Sequence, residues 1–331
     1  MTGSPVPWAV LIPAGPGKPE VDRVADLLES LYRFEPSVSR VVVVDDGPEA
    51  GRDLRSVAGP LRDRTSVITN PRARDADWWT EGVLVGIAAG LELLLADRDV
   101  EWVLRMDTDA LVIGPVSETV TAAFAADPQL GMVGCYDREC DGSVRDFTDN
   151  WARTVRKYRM PISVWPGQLV PARFRRWPKV PGSLFRSSLL GVGRERRRLI
   201  ERAQANGYQL GEHCQGGAYA ISMRAVRAMN TEGLLDCRLW RGTVLTEDVV
   251  MGIQVRALGF SMAGMADPGE PFGVTHQGLP GDPQYLVDAG YGVVHSVKTF
   301  NEPEADLRRK FRQLREATPP PAAREDRPVT P

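Results

Sequence analysis

Two pairs of carboxylates, a histidine and a lysine are the residues of this chain best suited to chemistry. Asp-x-Asp occurs three times, as Asp75-Ala-Asp77, Asp97-Arg-Asp99 and Asp107-Thr-Asp109. The first falls in a polar stretch and the second at a predicted helix end beside further charges. Only Asp107-Thr-Asp109 directly follows a buried-type strand, Trp102-Val-Leu-Arg-Met106, and precedes a second apolar run, Ala110-Leu-Val-Ile-Gly114. Ionised carboxylates between apolar runs are costly unless something compensates them. A divalent cation does so: oxygen ligands suit Mg2+ or Mn2+, and alternate residues can place one carboxylate on the metal and the other on a ribose or water. Taken alone, the tripeptide also reads as a solvated strand-end turn.

The second pair, Glu247-Asp248, opens a helical stretch in which Thr246 can cap and acidic residues favour the helix dipole. A well-made helix start therefore accounts for it as readily as catalysis does. Read as chemistry, Asp248 is the candidate base for a weak hydroxyl nucleophile, and Glu247 is either its substitute or a hydrogen-bonding partner of the acceptor. His295 ends an apolar strand beside Lys298; an imidazole there is a candidate ligand for an Mn2+-type ion, and the lysine can offset negative charge on a leaving group. His213 and His276 read as surface or hydrogen-bonded residues outside this set.

Such scattered groups need a scaffold that gathers them. Trp8 to Pro13 and Arg40 to Asp45 are continuous apolar runs that end on turn residues, with a helical stripe of Val21, Val24, Ala25, Leu28, Leu31 and Tyr32 between them. This is a βαβ unit, the start of a nucleotide-binding sheet. Further strands are predicted at Ser66–Thr69, Met132–Tyr136, Gly216–Ser222 and near Gly292–Val294. Helices are predicted at about 81–96, at about 194–206, from about Thr246, and in a last amphipathic segment carrying Leu307, Phe311 and Leu314. Ligands of such sheets bind beyond the carboxyl ends of the strands, where Pro13, Ala14, Asp45, Asp46, Asp107 and Asp109 all fall. The proline-rich stretch 158–193 predicts an irregular excursion over the site. The tryptophans Trp78 and Trp79 suit either ring stacking on a ligand or packing of the helix that follows. The expected organisation is one α/β domain: a nucleotide-sugar-binding half over 1–136, an acceptor-binding and catalytic half over 137–317, and a disordered tail over 318–331.

Composition narrows the classes. The 331 residues are 43% hydrophobic and 25% charged, enough to bury a large core, which excludes fibrous, disordered and disulfide-scaffold chains. With 41 basic against 43 acidic side chains, no global field recruits nucleic acid or an anionic membrane. The four cysteines lack CxxC spacing, and the opening apolar run is too short for a signal sequence or a span, so a reduced cytoplasmic setting without a membrane span is expected. A basic run between 173 and 202 is either a solvated face or a site for an anionic acceptor.

Four stretches in order, Met106-Asp-Thr-Asp-Ala-Leu-Val112, Gly216-Gly-Ala-Tyr-Ala-Ile-Ser222, Thr246-Glu-Asp-Val-Val-Met-Gly252 and Val294-His-Ser-Val-Lys298, resemble the successive motifs of GT-A glycosyltransferases. The nearest likeness is to the inverting fringe and β1,3-galactosyltransferase group, and it covers roughly residues 8–298. The resemblance implies a GT-A-type, Rossmann-like, mostly parallel sheet flanked by helices. It also implies an enzyme that uses Mn2+ or Mg2+ to move a sugar from a nucleoside-diphosphate sugar, UDP-linked by preference, to a hydroxyl of a small-molecule or glycan acceptor, with inversion. In that scheme the Pro13-Ala14 loop and Asp46 border the donor, and Asp45 lies near the base or ribose. Asp107 faces ribose or metal, Asp109 and His295 chelate the metal, Lys298 meets the phosphates and Asp248 takes the acceptor proton. The chain departs from the eukaryotic branch in lacking a membrane anchor and paired lumenal cysteines.

Three other readings use the same residues. A nucleotidyltransferase of sugar-nucleotide synthesis needs a glycine-rich signature after the first strand, where Pro13-Ala-Gly-Pro-Gly-Lys-Pro-Glu20 supplies three prolines and no arginine. A dinucleotide-dependent oxidoreductase needs a third glycine that is missing. A non-catalytic sugar-nucleotide-binding protein keeps the fold without turnover.

Overall fold

The computed structural model describes residues 6–47, 52–72, 81–147, 192–240, 245–298 and 302–317. Uninterrupted apolar runs become buried central strands. β1 (Trp8–Ala14) is buried along its whole length, and β2 (Arg40–Asp45) along all but its ends. Strands with both faces covered carry apolar residues without alternation. With β3 (Thr65–Thr69), β4 (Trp102–Met106), β6 (Leu130–Gly134), β7 (Ala218–Ser222) and β8 (Ser261–Gly264), they form a seven-stranded sheet in the order β3-β2-β1-β4-β7-β6-β8. It is parallel except for β7, which runs antiparallel to both β4 and β6. A second, three-stranded sheet orders β5 (Leu111–Val112), β10 (Val293–His295) and β9 (Phe272–Val274). The chain is thus mixed α/β, built on a mainly parallel sheet with helices on both faces.

Alternate residues of β1 feed two cores. Trp8, Val10, Ile12 and Ala14 join Val24, Leu27 and Leu31 of α1 (Glu20–Phe34) and Val120 and Phe124 of α3 (Ser117–Ala126). Ala9 and Leu11 point the other way, toward α2 (Val83–Leu94), α4 (Val192–Ala205), α5 (Met223–Thr231) and α6 (Glu247–Ala257). At the amino edge of the sheet, the rings of Trp8 and Trp102 stack at 4.6 Å.

Every strand and helix predicted on the described residues is present, with ends shifted by a few positions. Tyr32, placed on the buried stripe of α1, is instead 41% exposed. The 3.6-residue period puts Val24, Leu27, Leu28 and Leu31 on the inward face and rotates Tyr32 off it. Sequence reasoning missed α3, α5, β8, β9 and the short α7 (Pro283–Asp288). α3 buries only Val120 and Phe124, too weak a stripe to register. α5 starts directly at the Ser222 cap, with no loop between it and β7. The irregular excursion, Trp78 and Trp79, and the tail lie outside the described residues.

The last helix, α8 (Glu304–Ala317), buttresses the turn that carries Asp107-Thr-Asp109. Arg308 donates to the Thr108 carbonyl at 3.0 Å, pairs with Asp26 of α1 at 2.8 Å and with Glu304 at 2.9 Å. From the other side, the Thr108 hydroxyl donates to Glu20 at 2.5 Å. Glu20 also accepts from the Gly15 amide at 3.2 Å, which ties the loop after β1 to the same turn. Removing one partner of a buried pair leaves an uncompensated charge. Asp26 is 4% exposed and keeps a second buried partner, Arg315, at 3.1 Å, so Arg308→Leu removes one charged contact and the bond to the Thr108 carbonyl and is expected to destabilise the fold by about 2 kcal/mol. Arg309→Leu, which removes only an exposed pair with Asp306, should cost less than about 0.5 kcal/mol. Urea unfolding of the two variants measures the difference.

Candidate active site

The sheet register assembles the first half of the site. β4 and β7 pair so that Arg105 faces Tyr219 and Met106 faces Ala218. The next residue, Asp107, then donates its amide to the Gly217 carbonyl at 2.9 Å. In the small sheet, β10 pairs with β5, Val294 opposite Leu111, and the Val297 amide donates to the Asp109 carbonyl at 2.9 Å. These two registers bring Asp107, Asp109 and His295 into one group whose potential ligand atoms lie within 4.8 Å of each other.

Each of the three turns one ligand atom toward the other two. His295 Nδ1 donates to the Thr275 carbonyl at 2.8 Å, which turns Nε2 toward the carboxylates. Nε2 stands 3.4 Å from Asp109 Oδ1 and 3.6 Å from Asp107 Oδ2. The opposite oxygens are taken: Asp109 Oδ2 accepts from the Ser296 hydroxyl at 2.7 Å and pairs with Lys298 at 3.1 Å, and Asp107 Oδ1 pairs with Arg105 at 2.7 Å. A ring nitrogen oriented by a backbone carbonyl and carboxylates anchored through their second oxygens are the usual outer support of a metal site.

The electrostatics fit a cation. Burial alone would raise the Asp109 carboxyl and disfavour the His295 imidazolium. His295, Lys298 and Ser296 outweigh burial at Asp109, which falls well below the usual carboxylate range, and Asp109, Asp107 and the Thr275 carbonyl outweigh it at His295, which rises above the usual imidazole range. Nε2 points between the two carboxylates. A divalent cation at that point would bring a larger charge than a proton and would be held by two carboxylate oxygens and one imidazole nitrogen, a donor set that suits such ions.

The acidic pair sits at the start of α6, and the Gly216-Gly217 step separates it from the metal-type group. A Cβ on Gly217 would lie 2.1 Å from the His295 ring, and one on Gly216 would lie 3.0 Å from Asp248 Oδ2 and 3.1 Å from Glu247 Oε1. Consecutive Cα atoms are about 3.8 Å apart, so the two acidic centres flank a single peptide unit. At Gly217 the His295 ring leaves no room for a Cβ, and at Gly216 a Cβ would press on both carboxyls. Thr246 occupies the cap position, but its hydroxyl donates to Asp248 instead of accepting a backbone N–H, and the Val249 amide donates to Asp248 at 2.8 Å.

The two carboxyls titrate apart. Burial, reinforced by Asp248 and Asp107 against Arg105, lifts Glu247 to about 8. Burial also opposes ionisation of Asp248, but His213, the Thr246 hydroxyl and the Val249 amide outweigh it and hold that carboxyl below its ordinary value. His213, set aside in the sequence reading, proves to face the site: its Nε2 is 3.6 Å from Asp248 Oδ2 and 2.8 Å from an Arg145 nitrogen.

At the carboxyl ends of β1 and β2, the arginines hold the predicted donor-side residues. Asp45 pairs with Arg52, whose other N–H groups reach the carbonyls of Gly15 and Gly17 just beyond Pro13 and Ala14. Asp46 is fully buried and forked by Arg72 through two bonds of 2.6 Å. The structure therefore brings Asp107, Asp109, His295 and Lys298 together, sets Glu247 and Asp248 beside them, and places Asp45 and Asp46 in a neighbouring arginine-bound cluster. In the described part of the basic run, Arg196 packs against Trp240 and Arg202 donates to the Ala257 carbonyl. Sequence reasoning missed Arg105, Arg145, His213, Glu20 and Ser296. Arg105 alone left a signal, as the one charge inside an apolar strand.

No protein-family model matches the chain, and no curated protein does. Among solved structures, the mannosyltransferase PcManGT of Pyrobaculum calidifontis, in complex with GDP-Man and Mn2+, is 15% identical with a TM-score of 0.40, over 80% of this chain and 56% of its own. The galactosyltransferase LgtC, in complex with donor and acceptor sugar analogues, is 12% identical with a TM-score of 0.44, over 95% of this chain and 98% of its own. The bifunctional glycosyltransferase WbbM is 13% identical with a TM-score of 0.46, over 95% of this chain and 50% of its own. The chain thus spans about half the length of PcManGT and of WbbM.

The raised Glu247 carboxyl makes a prediction about stability. Its folded pKa exceeds its unfolded one, so between about pH 4.5 and 8 the folded state holds a proton that the unfolded state releases, and stability falls as pH rises. The slope from this residue approaches about 1.4 kcal/mol per pH unit. Glu247→Gln should remove that slope in denaturant unfolding measured across the window. An unchanged profile contradicts the assignment.

Proposed function

We propose that the protein is a metal-dependent GT-A glycosyltransferase that moves a sugar from a nucleoside-diphosphate sugar, UDP-linked by preference, to a hydroxyl of a small-molecule or glycan acceptor, with inversion. One observation carries this reading: a three-residue metal-type group and a buried acidic pair flank the same diglycine step. The order of the four motifs supports it, and the fringe-type likeness rests on those motifs. Among the described residues, no helix is long and apolar enough to cross a membrane.

Asp107, Asp109 and His295 would hold Mn2+ or Mg2+, which when bound supplies Lewis-acid stabilisation of charge on the leaving diphosphate. Lys298, 41% exposed and anchored on Asp109, adds a cation on the solvent side of that charge. The loop from Pro13 and Ala14, fixed by Arg52 to Asp45, borders the nucleoside, with Asp46 and Arg72 bracing it from beneath.

Asp248 accepts the acceptor hydroxyl proton. A base must be ionised and within hydrogen-bond reach, and its contacts keep this carboxylate ionised in a buried setting. Glu247, neutral at pH 7, donates a hydrogen bond to the acceptor or to its neighbour. Pairs of carboxyls whose environments drive them apart in this way mark acid and base roles. The Thr246 hydroxyl and the Val249 amide hold Asp248 Oδ1, while Oδ2 faces Gly216 and the His213 ring that Arg145 fixes.

Asp248→Asn keeps the shape and removes the base. It should lower transfer by about 10²–10⁴-fold, while a UDP-sugar with Mn2+ still raises the melting temperature as it does for the unaltered chain. Thermal shifts with UDP-, GDP- and dTDP-sugars identify the donor, and product assays measure transfer. Undiminished transfer overturns the role of Asp248, and no shift with any nucleotide sugar overturns the donor class.

A further inference from the structure

Arg105 is a buried cation whose contacts are poorly arranged for stability. It is 2% exposed, and its Nη2 atom lies 2.7 Å from Asp107 Oδ1 and 3.1 Å from Glu247 Oε1. Its guanidinium stands 5.6 Å from the ring centroid of Tyr219, its cross-strand partner. Nε and Nη1 have no hydrogen-bond partner, although both are buried. Arg145 shows the contrast: it distributes bonds to the carbonyls of Cys135, Tyr136 and His213 and to the His213 ring. Leaving buried donors unpaired costs free energy, and the anions around Nη2 are what hold the cation in place. What it does achieve is specific. One nitrogen occupies the Asp107 oxygen that faces away from His295, and the same nitrogen holds a carboxyl of the acidic pair.

We propose that Arg105 is a positioning residue that restricts Asp107 to single-oxygen ligation of the metal and keeps Glu247 in register with it. Asp109 is restricted likewise, since Ser296 and Lys298 occupy its Oδ2. The protein then offers the ion Asp107 Oδ2, Asp109 Oδ1 and His295 Nε2 and no fourth atom from these residues. Mn2+ and Mg2+ favour about six ligands, so such an ion keeps positions for phosphate oxygens of the donor. A second oxygen from Asp107 would fill one of them. Arg105 thus weakens the grip on the free ion and favours binding of ion and diphosphate together. This inference rests on the metal-binding reading above.

The test is Mn2+ affinity measured without donor, by calorimetry or by electron paramagnetic resonance of the free ion at pH 8, followed by UDP affinity at saturating Mn2+. Arg105→Met removes a cation beside the carboxylate and frees Oδ1, so Mn2+ should bind about three- to tenfold tighter, while UDP binds more weakly by a similar factor. Because Arg105→Met leaves the Glu247 carboxyl facing an apolar side chain, the double variant Arg105→Met, Glu247→Gln removes both members of that contact and should show the same inversion. Arg105→Lys, whose ammonium can still occupy Oδ1, should return both affinities toward the starting values. A residue that merely supports the fold would weaken Mn2+ and UDP binding together. Equal or weaker Mn2+ binding in the Met variants, or unchanged UDP binding, overturns the proposal. If the unaltered chain binds no Mn2+, the metal reading itself fails and this inference falls with it.

Discussion

Four carboxylates gathered in one largely buried pocket repel each other, and the structure around them is organised by the need to offset that repulsion. Asp109 is offset by His295, Lys298 and Ser296, and Asp248 by hydrogen bonds and the His213 edge, while at Asp107 burial and the neighbouring Asp109 outweigh Arg105 and raise the carboxyl above its ordinary value. Glu247 meets the constraint differently, by remaining protonated to about pH 8. Each carboxylate of the metal-type group keeps one oxygen engaged and one turned inward. The residual negative charge converges where His295 Nε2 points, and a divalent ion would complete the balance there.

Topology makes the convergence possible. β7 runs against its neighbours, and this reversal lays the Gly216-Gly217 step alongside Asp107 instead of at the far end of the sheet. β10 enters from a separate sheet and delivers His295 and Lys298 to the same place. α6 presents its first turn from the opposite side. The back of the Asp107-Thr-Asp109 turn is held by Glu20 and Arg308, from helices at the two ends of the chain. The geometry of a few atoms therefore depends on most of the fold.

Much of this was legible in the residues. β1, β2 and β4 announce themselves because parallel strands buried on both faces must be apolar throughout, and the Asp-x-Asp that matters is the one such a strand delivers. The motif order pointed to His295 and to the Glu247-Asp248 pair. What could not be read were partners set by register and rotamer. Nothing in the sequence around His213 distinguishes it from His276, yet only His213 is turned toward Asp248. Arg105 was visible as a charge in an apolar strand, but its two anions lie on segments that meet it only in three dimensions. The carboxylates of Asp45 and Asp46 look alike in sequence, and only the structure separates the fully buried Asp46, forked by Arg72, from Asp45 at the loop. The short β8 and β9 carry too few residues to show a period.

The central claim is that Asp107, Asp109 and His295 bind a divalent ion facing a nucleoside diphosphate. Anomalous scattering from crystals grown with MnCl2 and UDP tests it most directly. The account predicts a manganese peak within about 2.3 Å of Asp107 Oδ2, Asp109 Oδ1 and His295 Nε2, with UDP phosphate oxygens completing the coordination on the side of Lys298. Bound UDP with no manganese at these three residues, or manganese held elsewhere, would contradict it.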